Sequence, residues 1–154
     1  MSATAKESWM QAAEKMQVGE RAEEEAEAAL AAAGWEVINL NRLAKNFRFA
    51  DLLAKRGATR LLVQVKGTTT DEGKFGALPG PARALHELAR HLDAQAVYAL
   101  VRLAADGSVV RFGTAENAAA IADDRTANYR GTLRYHLFIS DFEHTAADLD
   151  EIVC

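Results

Sequence analysis

Phe47-Arg48-Phe49-Ala50-Asp51-Leu52-Leu53-Ala54 and Leu61-Leu62-Val63-Gln64-Val65-Lys66-Gly67 decide the fold, joined by the polar connection Lys55-Arg56-Gly57-Ala58-Thr59-Arg60. Each flank is short and rich in apolar and aromatic residues, and the Gly-containing link has hairpin length, which predicts two paired strands. Side chains two apart on a strand share a face. Leu61, Val63 and Val65 therefore point one way, and Leu62, Gln64 and Lys66 the other. An amide and an ammonium on one face of an apolar strand are costly to bury without partners. Asp51 interrupts the apolar run of the neighbouring strand and is the obvious group for them to meet. A carboxylate, an amide oxygen and an ammonium converging at a hairpin edge point to a site rather than a core.

Working outward, Glu20 to Ala33 is rich in Ala and Glu and has high helix propensity, with Ala22, Ala26, Ala29, Leu30 and Ala33 as its apolar stripe. Glu23 borders that stripe. Gly19 is read as a break separating this helix from an N-terminal helix or arm over residues 1–17, with Trp9, Ala13 and Met16 on one face. Gly34 suits a left-handed helix end. A strand is expected from Trp35 to Leu40 and a polar turn from Asn41 to Asn46. Residues 67–81 read as a long Gly-rich loop, placed after Lys66 as a flap over the site. Beyond it come a helix from Pro81 to Asp93, strands at 96–103 and 109–112 around an Asp106-Gly107 turn, a short helix at 115–123, a strand at 135–140 and a helix at 146–153. This order predicts a mixed sheet covered by helices.

Asp51, Gln64 and Lys66, in that order and spacing, resemble the D…(E/Q)-x-K core of the PD-(D/E)XK nuclease superfamily. Gly19-Glu20-Arg21-Ala22-Glu23, then Leu30, Gly34-Trp35, Val37-Ile38 and Asn41-Arg42, resemble the opening of its Holliday-junction-resolvase-like and Mrr-like branches. Two departures stand out: Ala50 precedes Asp51 where the superfamily carries proline, and Gln64 replaces the commoner acid, as in the QxK variant of Mrr-like members. The resemblance implies an α/β, restriction-endonuclease-like fold, a mixed central sheet flanked by helices, over residues 18–154. It implies hydrolysis of DNA phosphodiester bonds by a Mg²⁺-dependent endonuclease, with Mn²⁺ able to substitute. Aligned on Leu30 and Gly34, the helix carboxylate is Glu23, with Glu20 as the fallback. Glu23, Asp51, Gln64 and the Val65 carbonyl are then the metal ligands, and Lys66 is the catalytic cation. The alternative is a nuclease-fold module without cleavage activity that binds DNA or a protein partner.

Charge bears on the DNA expectation. The net charge is −4, yet residues 42–90 hold ten Lys/Arg against four Asp/Glu, while 1–41 hold three against eight and 91–154 five against ten. Local field rather than net charge steers a polyanion. Arg42, Lys45, Arg48 and Lys74 are the candidate phosphate contacts, and a homodimer is left open as the assembly. With 49% apolar and 26% charged residues the chain reads as globular. No apolar run approaches the ~20 residues of a membrane span. Met1 to Gln17 lacks a signal-peptide core and the lone cysteine is Cys154, so a cytoplasmic protein without disulfides is expected. The four histidines show no metal-ligand spacing.

Overall fold

Strong helix formers on both sides carry the first helix straight through Gly19. The computed structural model describes residues 5–44, 50–76, 79–128 and 136–153, with side chains from residue 17 onward. In it α1 runs unbroken over Ala5–Ala32. The expected break fails because a glycine inside a helix costs only about 1 kcal/mol against alanine. Burial of Ala22, Ala26 and Leu30, each at 0% exposure, outweighs that penalty. The Trp9, Ala13 and Met16 stripe lies outside the described side chains. Gly34 (φ +92°) ends the helix, with Gly34 N–H donating to the Ala31 carbonyl and Trp35 N–H to the Leu30 carbonyl. This is the paired-bond stop that a left-handed glycine allows.

Then follow β1 (Glu36–Asn39) and a single turn of helix, α2 (Leu40–Leu43), where a polar turn was expected. Asn39 explains it: its side-chain oxygen accepts from the backbone N–H groups of Asn41 and Arg42, an N-cap. The hairpin is β2 (Leu52–Arg56) and β3 (Thr59–Thr68), antiparallel and in register from Leu52↔Val63 to Arg56↔Thr59. Its turn is tighter than the sequence suggested, because Gly57 (φ +60°) supplies the positive φ that a two-residue turn needs. Phe47, Arg48 and Phe49 lie outside the described residues.

The stretch after β3 is anchored where a free flap was expected. Its centre is β4 (Lys74–Gly76), which leads into α3 (Pro79–His91). Next come β5 (Gln95–Arg102), β6 (Val109–Thr114) and α4 (Ala115–Asn128), the last running five residues past its expected end. β7 (His136–Phe138) does not join the main sheet; it pairs antiparallel with β4. Two 3₁₀ turns, Ile139–Asp141 and Ala146–Glu151, close the described chain, the second in place of the expected α-helix. Arg125 of α4 clamps this end, donating to both carboxylate oxygens of Asp141 (2.5 and 2.7 Å) and to the His136 carbonyl (2.9 Å).

The main sheet has the order β1-β2-β3-β5-β6. β3 and β5 are parallel and every other neighbouring pair is antiparallel. One face packs on α1 and the second 3₁₀ turn through Leu52, Leu61, Val63, Val65, Val97 and Phe112. The other packs on α3, α4 and the small sheet through Leu62, Phe75, Tyr98, Leu100 and Leu137. The alternation expected for β3 thus holds: Leu61, Val63 and Val65 lie on the α1 side and Leu62 on the other. α1 sits so close to β3 that a Cβ on Gly67 would fall 2.6 Å from the Ala22 Cβ.

Candidate active site

Asp51 sits where β2 parts from β3. Its backbone still holds the sheet, with Asp51 N–H donating to the Val63 carbonyl and Leu40 N–H to the Asp51 carbonyl, both at 2.9 Å. The next ladder bond is made by its side chain: Val65 N–H donates to Asp51 Oδ2 at 2.8 Å. A carboxylate thus takes the place of a strand carbonyl, which satisfies the freed N–H and fixes the carboxylate. Gln64 Nε2 donates to the same oxygen at 2.9 Å. The pairing of Asp51 with Gln64 read from strand alternation is present.

Glu23 comes from the opposite side of the sheet. Among the described acids of α1 only Glu23 and Glu27 flank the buried Ala22–Ala26–Leu30 stripe and are half-buried; Glu20, Glu24 and Glu25 are exposed. Their i, i+4 spacing puts both on one flank. Glu27 meets Arg42 at 3.2 Å. Glu23 Oε1 accepts from Asn39 Nδ2 and from Asn41 Nδ2, each at 3.2 Å. Asn41 Nδ2 also donates to Asp51 Oδ1 at 2.9 Å. One amide nitrogen thereby joins the two carboxylates, and a continuous chain runs Glu23–Asn41–Asp51–Gln64. A depression of about 240 Å³ beside it is lined by Glu20, Glu23, Glu24, Asn39, Asn41 and Arg42.

The electrostatics follow from crowding. Burial pushes the Glu23 carboxyl above its usual range, the two Asn donors pull it back, and the charges of Asp51 and Glu27 push it up again. Tyr98, opposite Gln64 on β5, has its phenol pushed up to about 12, by burial first and by Asp51 second. Lys66 is half-buried, shares Gln64's face by alternation, and has no side-chain hydrogen bond or ion pair among the described residues.

The structure thus brings Glu23, Asp51, Gln64 and the Val65 backbone into one network, with Lys66 two residues along the strand from Gln64. Among the expected phosphate contacts, Arg42 lines the depression while paired to Glu27, and Lys74 stands on β4. Lys45 and Arg48 lie outside the described residues. Asn39, Asn41 as a bridge, and Tyr98 were not foreseen. An Asn preceding a short polar run is a cap signal, the one local hint that Asn39 offered. Among the described residues no group of three or more His, Cys, Asp or Glu converges. The oxygens this network offers a cation are those of two carboxylates and the Gln64 amide, with the Val65 carbonyl beside them, and Glu23 Oε2 and Gln64 Oε1 accept no hydrogen bond among the described residues. Hard oxygen donors of this kind fit Mg²⁺ or Mn²⁺.

This is an α/β fold of the restriction-endonuclease-like type, a five-stranded mixed sheet flanked by helices. A solved structure with the same arrangement is that of Archaeoglobus fulgidus Hjc, a Holliday junction resolvase from an archaeal hyperthermophile. The two are 21% identical with a TM-score of 0.60, over 88% of this chain and 98% of that one. The chain matches no protein-family model and no curated protein. No helix among the described residues is long and apolar enough to cross a membrane.

Proposed function

We propose that this chain is a divalent-metal-dependent deoxyribonuclease of PD-(D/E)XK type, its nuclease domain spanning residues 18–154. The observation that carries the reading is the single network in which the Asp51 carboxylate meets Gln64 and the Val65 N–H directly and Glu23 through Asn41. Glu23, Asp51, the Gln64 oxygen and the Val65 carbonyl would hold Mg²⁺, or Mn²⁺ in its place. Bound there, the ion supplies Lewis acidity and an activated water. Lys66 offsets charge on the phosphorane or orients the attacking water. Arg42, Lys45, Arg48 and Lys74 neutralise backbone phosphates. The resolvase likeness makes branched DNA the first substrate to try; a homodimer is the assembly to look for and the cytoplasm the compartment.

The test is cleavage of four-way-junction and linear duplex DNA with Mg²⁺ or Mn²⁺. Asp51→Ala and Lys66→Ala should each abolish nicking while circular dichroism stays native. Equal cleavage by both variants and the wild type would end the proposal. A binding module without catalysis is the second reading, favoured by one contact: Gln64 turns its NH₂, not its oxygen, to Asp51. Salt-sensitive DNA binding without cleavage in either metal is its signature.

A further inference from the structure

The Asn41 side chain stands in an unusual place. One NH₂ group donates to Glu23 Oε1 at 3.2 Å and to Asp51 Oδ1 at 2.9 Å, so both of its hydrogens are spent on carboxylates. Two anions sharing one donor nitrogen are the arrangement a bridging cation would otherwise occupy. The amide is neutral, so it orients the carboxylates without cancelling their charge. We propose, resting on the nuclease reading above, that Asn41 is a placeholder for the site's cation: its amide spaces Glu23 and Asp51 until an ion displaces it.

Three observations support this. First, the backbone does not need the side chain: Asn41 N–H is held by Asn39 Oδ1 at 3.0 Å, so the carboxamide can turn about its own torsions while α2 stays capped. Second, Asn39 Nδ2 keeps a separate hold on Glu23 at 3.2 Å, so Glu23 retains one donor when Asn41 leaves. Third, a Mg²⁺–oxygen bond of about 2.0–2.1 Å is shorter than either amide contact, so an ion bonded to both Glu23 Oε1 and Asp51 Oδ1 draws the two oxygens together into the space the amide nitrogen now fills. Asn41 is then a positioning residue that competes with the metal and sets its affinity. Once turned, it has an amide oxygen to offer as a ligand or to the water shell.

The experiment is Mn²⁺ calorimetry on the full chain, wild type against Asn41→Ala, with Mg²⁺ titrations followed by the side-chain amide signals of ¹⁵N-labelled wild type. Removing the competitor should tighten Mn²⁺ binding about tenfold, the worth of roughly one charge-assisted hydrogen bond. In the wild type the Asn41 NH₂ pair should shift and lose protection from exchange as Mg²⁺ saturates, while the Asn39 pair moves less. A merely structural Asn41 would leave Mn²⁺ affinity unchanged. Equal or weaker Mn²⁺ binding by Asn41→Ala, or an Asn41 amide signal unmoved at saturating Mg²⁺, overturns the placeholder. If metal-dependent nicking persists alongside either result, the nuclease reading survives. No Mn²⁺ binding by either protein overturns both. The amide signals are read on wild-type protein, so the test holds even where the variant is poorly stable.

Discussion

Gly67→Ala should damage this protein at a position that carries no chemistry. The added Cβ would stand 2.6 Å from the Ala22 Cβ and 3.3 Å from the Val18 carbonyl oxygen. Carbon atoms in good contact are about 3.5–4.0 Å apart, so α1 and β3 must separate by roughly 1 Å. Neither obstacle can rotate away, since one is a Cβ and the other a backbone atom. Overpacking of this kind costs about 1–3 kcal/mol, a fall of about 2–10 °C in Tm at this chain length. Glu23 follows Ala22 on the same turn of helix, so the shift also stretches its 3.2 Å contacts with Asn39 and Asn41. Urea denaturation reads the stability. The compensating change Ala22→Gly supplies the control: alone it costs about 1 kcal/mol of helix propensity plus lost packing, but combined with Gly67→Ala it restores the space. The double variant should be more stable than the two single losses added together, by about 1 kcal/mol or more. Strict additivity, or a Gly67→Ala variant within about 0.5 kcal/mol of wild type, would refute close packing of α1 on β3 as the feature that positions Glu23.

Other consequences follow from the charges. Glu23 is raised above its unfolded value, so the native state binds its proton more tightly than the unfolded chain does; its contribution to stability is therefore greatest at low pH and is lost as pH rises through the folded value. Glu23→Gln should remove that falling segment from a plot of urea-unfolding free energy between pH 4 and 7, and a slope unchanged by the substitution would show that Glu23 is not its source. Tyr98 should stay protonated until about pH 12, so ultraviolet titration should reveal one late-ionising phenol that disappears in Tyr98→Phe. Gln64→Glu replaces a donor at 2.9 Å from Asp51 with a like charge; without a divalent ion it should lose about 1–3 kcal/mol at neutral pH, and Mn²⁺ should raise its Tm by more than it raises that of the wild type. An equal Mn²⁺ shift in both proteins would count against Gln64 as a ligand position.

How much of this was legible in the sequence depended on the range of the interaction. Asp51 meeting Gln64 needs only strand alternation and a hairpin, both local, and both are present. Glu23 was separable from its acidic neighbours only through the family resemblance aligned on Leu30 and Gly34, since one acid on an acidic helix carries no local mark of its own. The Gly34 helix stop was readable locally, from a glycine closing an Ala-rich helical run. The misses are tertiary. β4 pairs with a strand 60 residues away in sequence, so a Gly-rich stretch looked like a flap until Phe75 was seen buried at 3% exposure. The continuation of α1 through Gly19 reflects a small propensity penalty beaten by burial elsewhere on the helix. Asn39 was read as part of the strand from Trp35 to Leu40, and Asn41 as the start of a polar turn, the usual place of an asparagine after a strand. Only the approach of α1 from the other face of the sheet gives their amides two carboxylates to hold.

Among the described residues, five hydrogen bonds reach the Glu23 and Asp51 carboxylates from the two asparagines, Gln64 and the Val65 N–H, and each of these donors is neutral. Neutral dipoles fix the direction of a carboxylate but do not remove its charge. A network whose purpose was only to hold α1 to the sheet end would do so at less expense with amides at positions 23 and 51, since the half-buried Glu23 carboxylate is opposed by desolvation and by the charge of Asp51. Among the described residues no cation meets the pair, which supports the proposed reading in which a positive ion arrives from outside the network. On the proposed function that ion is divalent, and Lys66 on the neighbouring stretch of β3 would share the task once a phosphate brings negative charge of its own. Gln64 sets the balance. It lowers the standing charge by one relative to an acid, so the site keeps its shape without an ion and gives up part of the pull that would draw one in.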